Sequence, residues 1–337
     1  MVTLSRPVQL LFAADEASPV CGALSNAIRQ ATRQVTVVRH DIASLAPDFE
    51  ELKRLVESCD LVVADFTPSA GSGSSPTADA IEVATLARFC TAKPLILVAP
   101  ETDSLPFDWR TELPVRYDPR GSHAPLVNAL CVRLLTFDPA APRRRGQFGS
   151  IQTDRPEVFV ARPYEDAYWQ EPVHGRFDFG RFLRAVEDAL PFLDLPGARL
   201  PDLKHLSGNG DIAQAIERAI SRARVIVADL SPDSRSGSHP NPNVLTEATI
   251  ARALYGREKA IVITRHGGEL PPRWQSFRAL SYDPVTLEPQ GPGRYAGELA
   301  TAVAELVNEA LHAQEFGGSS DHSHELLAQV WGALARG

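Results

Sequence analysis

A doubly wound parallel α/β sheet, present twice in tandem, is the architecture this sequence predicts. Residues 60–92 (DLVVADFTPSAGSGSSPTADAIEVATLARFCTA) and 224–256 (RVIVADLSPDSRSGSHPNPNVLTEATIARALYG) align without a gap: Asp229 minus Asp65 and Thr249 minus Thr85 both give 164. A repeat this long is a whole domain in two copies rather than the short unit of a solenoid. Within it, LVVADF and VIVADL are continuous apolar runs, the pattern of strands buried on both faces of a parallel sheet. Such strands alternate with helical patterns along the chain, which is the signature of βαβ units.

Each copy opens on an apolar strand, Val8 to Ala14 in the first and Val158 to Ala161 in the second. A helix follows, clearest in the second copy, where Phe182, Leu183, Val186 and Leu190 recur at helical spacing. An acidic turn and a helix come next, Asp48 to Cys59 and Asp211 to Ser221, and lead into the long apolar strands. A Ser/Gly/Pro loop, another helix and the strands LILVAP and AIVIT complete the repeat. Beyond it, Leu105-Pro106, Trp109 and Tyr117-Asp118-Pro119 recur as Leu270-Pro271, Trp274 and Tyr282-Asp283-Pro284, shifted by 165. The recurring Trp and Tyr residues read as core under the last strand. Closing helices span Leu126 to Leu135 and Leu299 to Leu311.

The domain division is therefore 1–137, a linker at 138–155, a second domain at 156–315 and a tail helix at 316–337. The Arg143-Arg144-Arg145 run in the linker reads as a solvated hinge. The tail helix carries Leu326, Leu327, Val330, Trp331 and Leu334 on one stripe and is expected to dock on the body. Asp321, His322, His324 and Glu325 before it read as helix-start residues, not as a metal cluster.

Bulk properties narrow the function. A chain of 337 residues, 44% hydrophobic and 23% charged, has the composition of a soluble globular protein. Its net charge of −8 argues against broad nucleic-acid binding. No run reaches the roughly 18 apolar residues of a membrane span, and the N-terminal VQLLFAA reads as a strand, not a signal peptide. The cysteines Cys21, Cys59, Cys90 and Cys131 lack metal-type spacing and read as buried thiols of a reducing, cytoplasmic compartment. There is no P-loop lysine motif, zinc spacing or nucleophile elbow, so no cofactor or metal is expected.

The constellation with chemical content lies in SPDSRSGSHPNPNVLTEATIAR. It follows the carboxyl end of strand VIVADL, the edge at which open α/β sheets bind ligands. Asn241 suits a helix N-cap and Pro242 the first helical position, so Glu247 falls about one turn into the helix. Topology brings Asp229, at the strand end, and Asp211, in the turn SGNGDIAQAI, to the same rim. His239 reads as a solvated loop histidine.

This pattern of strand-ADL, loop, NPNV, Glu and small-residue helix, with the opening VFVARPYED, resembles the nucleoside 2-deoxyribosyltransferase superfamily. That superfamily includes nucleotide N-glycoside hydrolases and TIR-like proteins. The resemblance covers residues 156–285 and, more weakly, the first copy. It implies two flavodoxin-like domains, with Glu247 as nucleophile on the anomeric carbon and Asp211 and Asp229 holding the base or moving protons. It further implies Pro163 and Tyr164 lining the site, Ser236, Gly237 and Ser238 offering backbone N–H groups to a phosphate, and Asn243 at the helix start. The implied ligand is a nucleoside, nucleotide or dinucleotide such as NAD, and the implied reaction is hydrolysis or transfer at its N-glycosidic bond. A non-catalytic nucleotide-sensing module is the other reading, because Thr246 precedes Glu247 where the family has an aromatic residue, and Ala248-Thr249 replace its Leu-Gly.

In the first copy Val83 stands at the position of Glu247, and the neighbouring Glu82 is rotated about 100° around the helix. Asp48 and Asp65 remain there, so the first copy is expected to lack the nucleophile while keeping part of a pocket. An intramolecular pseudo-dimer, or a homodimer, in which the inactive copy walls the active site would account for the fusion.

Overall fold

The computed structural model describes residues 8–14, 18–31, 35–39, 48–68, 76–102, 112–137, 157–161, 218–232, 239–265, 268–277 and 279–282, with single positions between and beyond them. Two separate sheets form, and every strand pairing in both is parallel. The first comprises β1 (Val8–Ala13), β2 (Val35–Arg39), β3 (Leu61–Asp65), β4 (Leu95–Pro100) and β5 (Val115–Tyr117), in the spatial order β2-β1-β3-β4-β5. The second comprises β6 (Glu157–Ala161), β7 (Ala223–Asp229), β8 (Ala260–Arg265) and β9 (Leu280–Tyr282), in that order. Among the described residues, four helices accompany the first sheet: α1 (Pro19–Gln30), α2 (Phe49–Ser58), α3 (Ala78–Thr85) and α4 (Ala124–Thr136). The helix α5 (Pro242–Tyr255) stands in the second half where α3 stands in the first.

Local chemistry explains the helix starts. Ser18 caps α1 by accepting from the Val20 N–H, with Pro19 pre-set at the first position. Asp48 caps α2, its carboxylate accepting from the Glu50 N–H at 2.7 Å, while Glu50 and Glu51 complement the positive helix end. Asp48 is thus committed to the backbone, and what looks in the sequence like a remnant of a site is a helix cap. Thr77 caps α3, and Asn241 caps α5 through the Asn243 N–H at 3.0 Å.

Strand alternation distributes the helices over both faces. On β3, Leu61 and Val63 pack with Val20, Leu24 and Ala27 of α1 and with Leu126, Leu130 and Leu134 of α4. Val62 faces the other way, onto Phe49, Leu52 and Val56 of α2. Ala64 and Phe66 share a cluster with Ala80, Ile81 and Ala84 of α3. In the second half Ile226, Ala228 and Leu230 meet Val244, Leu245 and Ala248 of α5 in that same cluster. One apolar core therefore runs across both halves of the chain. Among the described residues no helix is long and apolar enough to cross a membrane.

The two helices leave differently. α3 passes into a π-helical turn at Leu86–Cys90, whereas α5 stays α-helical to Tyr255 and exits through Gly256 at φ 82°, ψ −178°. That conformation is essentially reserved for glycine. Replacing Gly256 by Ala is expected to cost about 1–3 kcal/mol, read as a lowered urea midpoint at unchanged slope. An unchanged midpoint would show that the exit relaxes freely.

The thiols are affected by the same packing. Burial pushes Cys90 up to about 12 and also raises Cys59, so neither is a thiolate near neutrality. Iodoacetamide at pH 8.5 is expected to label Cys59 and Cys90 at least tenfold more slowly in the native protein than in urea. Equal rates would mean that the cores around them open readily.

Candidate functional site

The centre of the molecule is the seam where α3 and α5 cross, because helix residues of each half bond to the recurring tryptophan of the other. Trp109 is fully buried, and its indole N–H donates to the Thr246 hydroxyl at 3.2 Å. The Thr246 hydroxyl in turn donates to the Pro242 carbonyl at 2.9 Å. Reciprocally, the indole N–H of Trp274 donates to Glu82 Oε1 at 2.7 Å. Thr246 minus Glu82 is 164 and Trp274 minus Trp109 is 165, so the two contacts are the same contact seen from either side. Such reciprocity is the mark of an isologous interface.

The seam is symmetric in place but not in chemistry. Arg273 Nη1 lies 2.7 Å from Glu82 Oε2 and also pairs with Asp79. The Glu82 side chain is 0% and that of Arg273 1% exposed, so this is a buried ion pair. Burial pushes the Glu82 carboxyl above the ordinary carboxylate range, against the pull of Arg273. Burial likewise works against the Arg273 charge, but Glu82 and Asp79 prevail and raise it above the usual guanidinium value. Arg252 donates to the Arg273 carbonyl at 2.8 Å and lies over the rings of Phe49, Trp274 and Phe277, with 4.1 Å to the Phe49 centroid. Burial lowers Arg252 to about 10, with Glu82 pulling the other way. In the first half the equivalent Arg88 lies over Phe89 and Trp109 and forms an ion pair with Glu112 at 3.0 Å.

The carboxylates of interest sit at the sheet edge beside this seam. Glu247 is the sixth residue of α5, somewhat deeper than the first turn, and only 6% exposed. The corresponding Val83 shows the environment of that helix position: it packs with Leu11 and Ala13 of β1 and with Phe49, Leu52 and Val56 of α2. Glu82, by contrast, points into the seam, as a one-residue rotation requires. The first half therefore holds an apolar core where the second carries an acid.

Asp229 occupies the same edge but belongs to the opposite face. Its neighbours Ala228 and Leu230 share the cluster of α5, so alternation turns Asp229 away from that helix. Its Oδ1 accepts from the Ser231 N–H at 3.0 Å and from the Ser231 hydroxyl at 2.5 Å. Asp65 repeats the arrangement with Thr67, and its other oxygen accepts from the Ser18 hydroxyl. Asn243 is half-buried at the start of α5. An antiparallel bridge between Pro232 and Pro240 pins together the ends of the loop between β7 and α5.

Asp211, Pro163, Tyr164, Ser236, Gly237 and Ser238 lie outside the described residues, as do the linker and the tail helix. Among the described residues no group of three His, Cys, Asp or Glu side chains is placed to hold a metal ion. Arg273, Arg252 and Glu82 were not legible as a cluster in the sequence. The available signal was the alignment itself, which sets Glu82 against Thr246 beside two recurring tryptophans. Comparison with models of known protein families and with curated proteins yields no match.

Substitutions should rank by what they leave buried. Glu82→Ala breaks the buried pair with Arg273, leaving it Asp79, and removes the acceptor of the Trp274 N–H; it is expected to cost about 3–5 kcal/mol in urea unfolding. Thr246→Ala strands only the Trp109 N–H and should cost about 1–3 kcal/mol. Equal small losses would mean that water reaches the seam.

Proposed function

We propose that the second half binds a nucleoside, nucleotide or dinucleotide such as NAD and cleaves its N-glycosidic bond through Glu247. The observation that carries this reading is the burial of Glu247 at a helix position whose counterpart, Val83, is ordinary core. A buried carboxylate at a ligand-binding sheet edge is a functional-site candidate. The strand order β2-β1-β3-β4-β5 supports the flavodoxin-like assignment of the first half, and such sheets bind ligands at this edge.

In this mechanism Glu247 attacks the anomeric carbon as the bond to the base breaks. Water then releases the sugar from the glutamyl ester, with a second carboxylate serving as acid and then base. Asp211, which the family resemblance makes a site carboxylate, is the candidate for that role ahead of Asp229, which is turned away from α5 and bonded to Ser231. This reading requires the loop from Ser231 to Pro240 to cover the ligand, and hydrolysis is favoured over transfer because nothing in the sequence specifies a second base as acceptor. The first half acts as the non-catalytic member of an intramolecular pseudo-dimer and buttresses α5 through Trp109.

A nucleotide-sensing module is the second reading, and the commitment of Asp229 to the Ser231 turn favours it. Base release from nucleosides, their monophosphates and NAD, followed chromatographically, separates the two. Glu247→Gln is expected to lower release by about 10³-fold while thermal stabilisation by the same ligand persists. Binding without release in the wild type would establish the sensor, and release that survives in Glu247→Gln would remove Glu247 from the chemistry.

A further inference from the structure

The asymmetry of the seam goes beyond any catalytic role, because it determines which surfaces fit each other. In the chain as folded, Glu82 and Asp79 of the first half meet Arg273 of the second. If two second halves paired through this face, Arg273 would meet the counterparts of Glu82 and Asp79. Those are Thr246 and, 164 residues after Asp79, Asn243, so the cation would be buried with no anion. If two first halves paired, Glu82 and Asp79 would lack Arg273, and the sequence has no cation at the matching position of the repeat, since the residue 165 before Arg273 is Asp108. Either like-with-like pairing leaves an uncompensated buried charge, which costs several kcal/mol. The apolar part of the seam makes no such distinction, since Trp109 and Trp274, Ala84 and Ala248 occur on both sides.

We propose that the Glu82–Arg273 pair, with Asp79, is a pairing code: it fits the first half to the second and bars the same face from a second copy of either half. A face descended from a self-complementary one is thereby committed to unlike halves. Any assembly of this chain into larger oligomers then uses a different surface. This is specificity achieved by penalising the wrong partner as much as by rewarding the right one.

The test uses two full-length variants. In Glu82→Arg, two cations oppose each other across the internal seam, and in Arg273→Glu, three carboxylates do. Each alone should lose the internal pairing, read as an enlarged hydrodynamic radius and a lower urea midpoint. Together they hold complementary faces, because the unaltered first half of the Arg273→Glu chain matches the unaltered second half of the Glu82→Arg chain. Mixing them, and co-refolding them from urea in case either fails alone, should give a compact species with the mass of two chains by light scattering. Wild-type internal pairing in either variant, or a mixture without a two-chain species, would overturn the proposal.

Discussion

The crossing of α3 and α5, fixed by two indole N–H groups reaching across the seam, is the constraint on which the rest of the structure depends. Trp109 and Trp274 are large, fully buried and each in need of an acceptor. Each finds it on the other half, at Thr246 and Glu82. This sets the rotation of both helices. Once Thr246 is turned into the seam, Glu247 is turned out of it toward its own sheet, and Val83 is turned the same way in the first half. The seam thus determines where an acid can sit in one half and why the other half holds a valine.

The two halves show what divergence after duplication does to one scaffold. The strand-end aspartates are kept for a structural purpose, since Asp65 and Asp229 both fold the following residues into a side-chain-bonded turn. The helix position that carries Glu247 in one half is absorbed into core as Val83 in the other. The seam, which must fit itself in a symmetric ancestor, gains an ion pair on one side and a neutral hydroxyl contact on the other. Burial makes that charge placement consequential, because an unmatched guanidinium or carboxylate there has no water to fall back on.

Much of the fold was legible because it depends on pattern. The uninterrupted apolar strands, the N-cap at Asn241 and the repeat itself all follow from short-range rules, and the observed elements fall where those rules put them. The seam was less legible, since nothing local tells Trp109 that its acceptor lies 137 residues away at Thr246. Asp48 misled for the opposite reason: a carboxylate before a helix serves equally as cap and as site residue, and the cap prevails here. Asp229 and Glu247 share an edge in the sequence reading, and only the strand alternation around Ala228 and Leu230 reveals that they belong to different faces. The resemblance to a nucleoside-processing family rests on the residues around Glu247, and the environment of Val83 gives that position a physical meaning.

The most direct measurement of the central claim is a crystal structure of the full chain soaked with adenosine monophosphate or NAD. The account predicts ligand in the second half alone, its anomeric carbon about 3–3.5 Å from a Glu247 carboxylate oxygen, and only side chains around Val83. Ligand in the first half, or in the second half with Glu247 out of reach of the sugar, would contradict it.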